Sequence, residues 1–530
     1  MKCLRTLFLV LVLVGIVIAV RHFQLLPTAK DTLRIGNATE IATLDPQLAP
    51  GLDEGKVVSA IFEGLFVPAT RDLKPLPGVA ESYVVSKDRR EYIFTLRENA
   101  RWSNGDPVVA GDFVNAVRRG LSTNLGSPWA ELYFVLLNAQ RYYNDEVTDF
   151  SKVGIEAVNS RTLKFTLEEP IDYLPSLLMH WAWSPVHKTS IKRFGSPYDR
   201  NNPWTRVGNI VTNGPYVLQS IEVGDKIVVS KNKYYWDYDN VAIGTVQFLS
   251  GVDAMTEENM FNANQIDITD NVAAEKIEFY KSQKLLKTTA TLGSFFFWFN
   301  CTRPPFDDVR VRKALSLAVD RSAIGRLRGR GDGFEAYALV PPGTFSYNAD
   351  RHLMSEDIAL AKQLLCEAGY PDGEGFPKVA LVYNTTPGQK LIAEAVQEMW
   401  RRNLGIKIDL QSFEWGVFLG ERRAHNFAIC RGGWIGDYND ATTFLDLFRS
   451  DSPNNHAQWK NKEYDALLGQ AAKAPENRAA ILAEAERLIF DEMPIVPLYY
   501  DSTCHLVAKR VGGWHANILD WHALKFVYFR

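Results

Sequence analysis

The sequence has few cysteines, few long apolar runs and little excess charge of either sign. Its 5 cysteines are far apart and match no CxxC metal-binding spacing. The net charge of −3 comes from interspersed acidic and basic residues, which argues against a nucleic-acid partner. Beyond the first 20 positions no run of about 18 apolar residues occurs. The chain therefore cannot itself form a membrane channel.

Motifs of known enzyme chemistry are missing as well. No HExxH, Walker A or GxSxG pattern occurs, and the 9 histidines are scattered without metal-ligand spacing. The glycine-rich segment 329–333 superficially resembles a phosphate loop, but it follows a helical pattern rather than a strand, which favours a solvated loop. We predict no catalytic residue, no metal site and no cofactor.

What the sequence does contain is the composition of a large globular protein. At 530 residues, 46% hydrophobic and 23% charged, it is long enough for two or three domains. Aromatic residues make up 12%, including 13 Trp and 21 Tyr. They indicate either several large cores or a cleft lined by flat rings that contact a ligand.

The first 30 residues have the pattern of a targeting segment. A basic start (residues 1–5) precedes an uncharged apolar run from Leu7 to Val20, which ends at Arg21. We predict either a signal peptide cleaved after Ala19 or an uncleaved N-terminal membrane anchor. Both predictions place the rest of the chain outside the cytoplasm.

The cysteines of this exported part are predicted to be buried free thiols. One disulfide among them stays possible, because sequence alone cannot pair them. They are Cys301, Cys366, Cys430 and Cys504.

Strand and helix patterns alternate along the chain. Period-two hydrophobicity predicts strands around residues 33–35, 92–96 and 163–167. Helical periodicity predicts helices after Asp308, over residues 355–369 and over residues 479–490. Because no repeat and no Pro/Ser/Gly linker separates autonomous units, we predict an α/β protein with discontinuous domains.

Residues 431–440, with the sequence RGGWIGDYND, are the most informative segment. We predict a loop-like segment in which two glycines allow close backbone approach, Trp434 offers a stacking surface, and Asp437 and Arg431 provide charges of opposite sign. An extended peptide with charged ends would match this layout. A surface turn with solvated charges is the alternative.

This segment resembles the core motif of the oligopeptide-binding proteins in the peptide/nickel solute-binding family, which serve ABC importers. Further similar segments follow in family order over residues 31–530. They are ATLDP (42–46), FEGL (62–65), YIFTLRENARWSNGDPV (92–108), TNGPY (212–216), PFDDVRVRKAL (305–315) and PIVPLYY (494–500).

The resemblance implies a two-lobed periplasmic-binding-protein fold with three discontinuous domains joined by two hinge crossovers. It implies that lobe 1 holds domain I and an inserted domain II, that lobe 2 is domain III, and that the chain end returns to domain I. The implied boundaries are 31–63 (domain I), 64–189 (domain II), 190–290 (domain I), 291–504 (domain III) and 505–530 (domain I).

The resemblance also implies ligand-binding roles. Asp437 matches the carboxylate that receives the α-ammonium of a peptide, and Arg431 and Arg422 match the arginines that meet its carboxylate. Trp434 matches a wall of a side-chain pocket, and Trp129 faces the ligand from the opposing lobe. Gly51 and Leu52 match the edge that pairs with the peptide backbone, Gly433 and Ile435 of the core motif are also assigned to the ligand site, and Asn271 and Tyr500 are weaker matches to cleft residues.

Departures from the family pattern, among them the lack of a His after the segment 383–385, put ligand length and side-chain preference in doubt. Pro50 stands where members often have Glu, and Ile435 replaces a Cys that forms a disulfide in some members. The implied protein is a periplasmic monomer that captures oligopeptides and delivers them to permease subunits of an ABC importer in the inner membrane. The alternatives are cell-wall (murein) peptides as cargo, a peptide-sensing role, and, less strongly, dipeptide or metal-chelate binding.

Overall fold

The computed structural model describes residues 31–530 except 38–39, 172, 329–333, 346, 348–351 and 437. The targeting segment 1–30 and the glycine-rich segment 329–333 therefore lie outside the described residues. None of the helices in the described part of the chain combines the length and apolar character needed to cross a bilayer.

The strands and helices alternate along the chain. The strands are β1 (Thr32–Asn37), β2 (Phe66–Pro68), β3 (Pro75–Pro77), β4 (Ala80–Val85), β5 (Glu91–Leu96), β6 (Ile155–Ala157), β7 (Thr162–Thr166), β8 (Tyr216–Glu222), β9 (Lys226–Lys231), β10 (Thr245–Ser250), β11 (Leu286–Phe299), β12 (Val379–Asn384), β13 (Ile408–Phe413), β14 (Ile429–Ile435), β15 (Ile495–Leu506), β16 (Val511–Gly512) and β17 (Tyr528–Phe529). The α-helices are α1 (Leu52–Ile61), α2 (Ala110–Gly120), α3 (Ala139–Tyr143), α4 (Leu174–Leu177), α5 (Lys188–Lys192), α6 (Ala254–Asn262), α7 (Ile277–Ser282), α8 (Val309–Leu317), α9 (Arg321–Arg328), α10 (Ile358–Glu367), α11 (Pro387–Leu404), α12 (Trp415–Arg423), α13 (Thr442–Leu445), α14 (Lys462–Ala471) and α15 (Arg478–Glu492).

The local patterns that predicted these elements are confirmed where periodicity was strong. In β5, Tyr92, Phe94 and Leu96 are buried and alternate with more exposed residues. Helix α8 begins where the Asp308 carboxylate accepts a hydrogen bond from the Arg310 N–H at 2.8 Å. Helix α10 begins at Ile358, three residues later than predicted, because Asp357 is its N-cap.

Two large hydrophobic clusters define two lobes. Lobe 1 contains a sheet of order β1-β10-β9-β8 and a sheet of order β4-β5-β7-β6. Its cluster also includes residues near the chain end, among them Val511, Leu524 and Val527. Lobe 2 is built on a sheet of order β13-β12-β14-β11-β15, and its cluster is drawn mainly from residues 292–498. The predicted two-lobed α/β fold is confirmed.

Two long antiparallel strands connect the lobes. In β11, Leu286–Ala290 pair with Ser502–Leu506, and Ser294–Trp298 pair with residues 495–500. The pairing is interrupted between Ala290 and Ser294. Cys504 and Leu506 pack with Tyr280 near lobe 1, whereas Phe296 and Phe299 lie in the core of lobe 2. The interruption therefore lies where the chain crosses between the lobes.

The prediction of buried thiols is wrong for Cys366. Cys430 and Cys504 are buried and Cys301 is half-buried, but Cys366 is exposed on α10. Because successive helical residues are about 100° apart, Cys366 turns away from the core that its neighbour Leu365 enters. These four cysteines are free thiols in the structure.

Candidate functional site

A cavity of about 360 Å³ lies between the lobes. Lobe 1 contributes residues from α1, from α4 and from the segments beside them. Lobe 2 contributes the end of β14 and the following turn, and the return segment 519–521 closes one side. Four predicted site residues line this cavity together: Gly51, Leu52, Trp129 and Ile435. The fold thus brings positions far apart in sequence to one place.

The lobe 1 wall is aromatic and firmly held. The Trp129 indole N–H donates to the Ala49 carbonyl at 2.7 Å, and its ring packs against His180 and Trp181 with centroid distances of 4.6 and 5.7 Å. Burial lowers the pKa of His180 to about 3, so its ring is neutral. Its Nδ1 accepts a hydrogen bond from the Ala182 N–H at 3.2 Å, which leaves the proton on Nε2.

The predicted pairing edge at Gly51 and Leu52 is not a strand. Gly51 has extended backbone angles (φ −138°, ψ 177°) and is the N-cap of α1, whose first residue is Leu52. Leu52 is 53% exposed, so it offers apolar surface to the cavity. Only Gly51 has the extended conformation that main-chain pairing needs, because the next residue already follows the helix.

The predicted loop at 431–435 is a strand. β14 pairs antiparallel with β11 along its whole length, including Gly433 with Phe295 and Ile435 with Gly293. Its parallel pairing with β12 stops at Cys430. Among the described residues, no strand covers the other edge of β14 from Arg431 to Ile435, and this uncovered edge ends at the cavity.

Packing against β11 explains the two glycines of this strand. A Cβ atom on Gly432 would lie 2.6 Å from the Trp298 indole nitrogen, and one on Gly433 would lie 2.5 Å from the Phe295 ring. Both distances are shorter than real contacts. The glycines are required by neighbouring rings, whereas the sequence had suggested close approach to a ligand.

Arg422 and Arg431 are two half-buried arginines on lobe 2 that lie near one another. Burial lowers the pKa of both guanidinium groups, and the charge of Arg431 lowers the pKa of Arg422 further. The Nε atom of each is buried without a hydrogen-bond partner. Among the described ion pairs neither arginine has a carboxylate within 4.0 Å. Two neighbouring half-buried guanidinium groups, neither in an ion pair with a described carboxylate, are an arrangement suited to a carboxylate ligand.

His456 belongs to this cationic region and was missed by sequence reasoning. Burial and the charge of Arg422 lower its pKa to about 4, and its Nδ1 is buried without a partner. A neutral imidazole beside the arginines can donate or accept a hydrogen bond without adding charge. No motif marks a single histidine in a segment like 451–460, so the sequence offered no signal for it.

Six of the predicted residues that the structure describes are not part of the cavity lining: Asn271, Arg422, Arg431, Gly433, Trp434 and Tyr500. Tyr500 is buried in β15, and its hydroxyl donates to the Ala338 carbonyl at 2.9 Å within lobe 2. Asn271 lies in lobe 1, where its backbone N–H donates to the Glu257 carboxylate at 3.2 Å. Trp434 is half-buried against the lobe 2 core and donates its indole N–H to Thr443 Oγ at 3.3 Å. Its ring therefore stands beside the cavity rather than in its lining.

Asp437 lies outside the described residues, but the residues on either side of it belong to the cavity lining. Gly436 and Tyr438 both line the cavity. The Gly436 N–H donates to the Leu292 carbonyl at 2.7 Å, which holds the turn to β11. The Tyr438 ring stacks on Tyr173 of lobe 1 with centroids 4.5 Å apart and an interplanar angle of 12°. This stack is a direct contact between the lobes beside the cavity.

A two-lobed molecule with a cavity between its lobes has the architecture of a solute-binding protein. Comparison with known proteins specifies the family. Residues 74–456 match the model of the bacterial extracellular solute-binding proteins, family 5, middle region, and the chain belongs to this family. Members of this family are binding proteins rather than enzymes.

Individual relatives agree over nearly the whole chain. The periplasmic oligopeptide-binding protein OppA of Escherichia coli is 35% identical over 509 residues, covering 92% of this chain and 90% of OppA. The periplasmic murein peptide-binding protein MppA of Escherichia coli is 34% identical over 497 residues, covering 90% and 89%. The unliganded open form of MppA superposes with a TM-score of 0.83 at 32% identity, covering 95% of this chain and 98% of MppA.

Proposed function

We propose that this protein captures oligopeptides in the interlobe cavity outside the cytoplasm and delivers them to an ABC importer. The observation that carries the proposal is the uncovered edge of β14, which runs from Arg431 to Ile435 and ends in the cavity. An extended peptide satisfies such an edge with its own amides, so its main chain is bound whatever its side chains are.

Charges at the two ends of the peptide would fix its direction. Arg431 and Arg422, which lack a carboxylate partner among the described residues, would receive the peptide carboxylate. Asp437, between Gly436 and Tyr438 of the cavity wall, would receive the α-ammonium. The enclosed charges of the peptide would then replace the water that lobe closure removes.

Lobe 1 would complete the site on closure. Trp129 and Gly51 face the cavity from the lobe opposite Ile435. A ligand that contacts both walls favours the closed state, because its contacts to the second lobe exist only there. Trp434 would border a side-chain pocket beside the main-chain edge.

Calorimetry with a panel of di- to pentapeptides tests this function, with mass spectrometry of the recovered ligand. We expect binding of tripeptides and longer peptides, recovery of intact peptide, and a raised unfolding temperature. At a ligand concentration a hundredfold above Kd, binding contributes about 2.7 kcal/mol to stability. A panel that produces no heat and no thermal shift, or that is recovered as fragments, would contradict the proposal.

Murein peptides are a second candidate cargo. The similarity to MppA, named as a murein peptide-binding protein, favours them. A competition experiment separates the two cargos: a murein tripeptide and a tripeptide of ordinary L-residues compete for the same protein, and the ratio of their Kd values identifies the preferred class. A sensing role would use the same closed state, presented to a receptor.

The remaining parts of the proposal concern the setting. The protein would be exported by its first 30 residues, would act as a monomer in the periplasm, and would dock on importer permease subunits in the inner membrane when closed. The size of the purified protein in solution and the sequence of its mature N-terminus test the first two points.

A further inference from the structure

Asp520 presents a carboxylate to the interlobe cavity from the return segment. The turn that carries it is fixed by Asn517, whose side-chain oxygen accepts hydrogen bonds from the N–H groups of Leu519 (3.2 Å) and Trp521 (3.1 Å). Asp520 itself has φ +48°, a left-handed conformation that Asp tolerates better than most residues. The backbone therefore holds this side chain in one direction.

Two histidines hold one oxygen of this carboxylate and leave the other open. His505 Nε2 and His522 Nε2 contact Asp520 Oδ1 at 2.9 and 3.0 Å. No residue in the described part of the chain donates a hydrogen bond to Oδ2. Because Asp520 lines the cavity, Oδ2 is the oxygen available to a ligand there.

The contacts of His505 determine its protonation. Its Nδ1 lies 2.8 Å from the Thr269 carbonyl and its Nε2 lies 2.9 Å from the carboxylate, and both partners can only accept. Both ring nitrogens must therefore carry protons, so His505 is an imidazolium when Asp520 is ionised. Burial alone would lower the pKa of His505, but the charge and hydrogen bond of Asp520 raise it above its ordinary value. Burial lowers the pKa of His522, which needs only one N–H for its contact.

The other charged groups around this carboxylate leave an excess of negative charge. Lys56 of α1 faces the cavity and the histidines, but it is paired with Asp270 and, at 3.4 Å, with Asp53. The carboxylates of this group are those of Asp520, Asp270 and Asp53, and its cations are Lys56 and, while protonated, His505. After His505 loses its proton, Lys56 is the remaining cation of this group. Behind Asp270, Glu257 has a pKa raised by burial to about 7 and adds negative charge above that pH.

The walls next to Asp520 are apolar. Trp129, Trp181, Leu519 and Trp521 line the same cavity. Long basic side chains combine an apolar stem, which packs on such walls, with a terminal cation, which needs an anion. The cavity offers both within one space.

We propose that Asp520 is the anionic end of a subsite for a lysine or arginine side chain of the bound peptide, and that the proton on His505 sets the strength of this subsite. Loss of that proton removes the neighbouring cation that competes with the ligand for Asp520. By linkage, binding of a basic side chain releases protons to the solvent. The inference rests on the proposed peptide binding.

Calorimetry with tetraalanine derivatives tests it. Each position in turn carries lysine or norleucine, whose side chain has a similar apolar stem without the charge. Both peptides have the same α-amino group, so titration of that group cancels from the ratio of their Kd values. At one position we expect lysine to bind about tenfold more tightly than norleucine at pH 8.5, the scale of one charge-assisted hydrogen bond. The ratio should fall to about two- to threefold at pH 5.5, and two buffers of different ionisation enthalpy should reveal proton release.

Three variants separate the roles of the groups. Asp520→Asn should remove the preference for lysine at both pH values, and His505→Arg, with its permanent charge, should keep the ratio low at both. His187→Gln is the matched control, because it removes a histidine from another histidine–aspartate pair, with Asp106, outside the cavity; it should bind like the parent. If Asp520→Asn does not fold, the comparison of His505→Arg with the parent decides.

The possible failures are distinct. If neither tetraalanine nor any derivative binds, the proposed function and the subsite both fall. If tetraalanine binds but lysine and norleucine are equal at every position, only the subsite is overturned. A lysine preference that survives Asp520→Asn, or a pH dependence that survives His505→Arg, also overturns it.

Discussion

Arg431 places a positive charge on lobe 2 without an ion-pair partner among the described residues, so its replacement should affect folding and binding in opposite directions. Its guanidinium lies over the Phe295 ring at 5.1 Å, and its Nε is buried without a partner. In Arg431→Met a flexible apolar chain would keep the contact with the Phe295 ring and remove the buried charge.

The magnitudes follow from these contacts. An unsatisfied buried polar group costs about 1–3 kcal/mol, so the ligand-free variant should be more stable by about 1–2 kcal/mol. For a lobe of this size that corresponds to a rise of about 2–4 °C in Tm for each kcal/mol. Binding should weaken by about 3 kcal/mol, or roughly two decades in Kd, because Arg422 remains to hold part of the peptide carboxylate.

The assay is calorimetry on tri- and tetrapeptides with a free or an amidated C-terminus, together with thermal unfolding. Amidation should cost the parent much more affinity than it costs Arg431→Met, because the two changes remove the same interaction. Arg423→Met, on the exposed side of the same helix end as Arg422, is the control and should change neither property. An Arg431→Met protein that is less stable and binds as tightly as the parent would refute the reasoning.

Three further predictions concern other positions. Asp437→Asn should cost about two to four decades in Kd, and N-acetylation should then cost little more; equal losses on acetylation in parent and variant would count against an ammonium at Asp437. Glu257→Gln should increase the free energy of unfolding by up to about 3 kcal/mol at pH 8 and by less at pH 5, so the rise in Tm should be larger at pH 8. The reason is that burial raises the Glu257 pKa to about 7, so ionisation of this group above its ordinary pKa opposes folding. An equal rise in Tm at both pH values would contradict this. Gly433→Ala should lower the free energy of unfolding by about 1–3 kcal/mol, and with it the Tm, because the added methyl group would clash with the Phe295 ring. An unchanged Tm would show that the ring moves freely.

Elements that depend on local periodicity could be predicted from the sequence. The alternation in β5 and the Asp308 cap of α8 involve residues a few positions apart, so their signals are present in short segments. β14 could not be predicted in this way. Its two glycines suggest a loop when read locally, and only the rings of Phe295 and Trp298 on β11 explain why a central strand has glycine there.

The same distinction holds for the site. Resemblance of motifs pointed to Trp129 and Ile435, which the fold brings to one cavity. It also pointed to Tyr500, whose hydroxyl is instead used inside lobe 2. Asp520 was missed because its proposed role depends on contacts with His505 and His522, and no short pattern around residue 520 predicts that its carboxylate lies at the cavity.

The return of the chain end to lobe 1 has a consequence for how the protein acquires its structure. Ile35 of β1 forms a bridge with Ile268, and Ile268 forms another with Val507. Val511, Leu524 and Val527 belong to the same cluster as Leu33. Lobe 2, drawn mainly from one continuous stretch of chain, can assemble as soon as that stretch is available. Strand β1 is synthesised first, but the core of lobe 1 that it enters is complete only when the last residues of the chain are present. Lobe 1 therefore begins before lobe 2 and is completed after it.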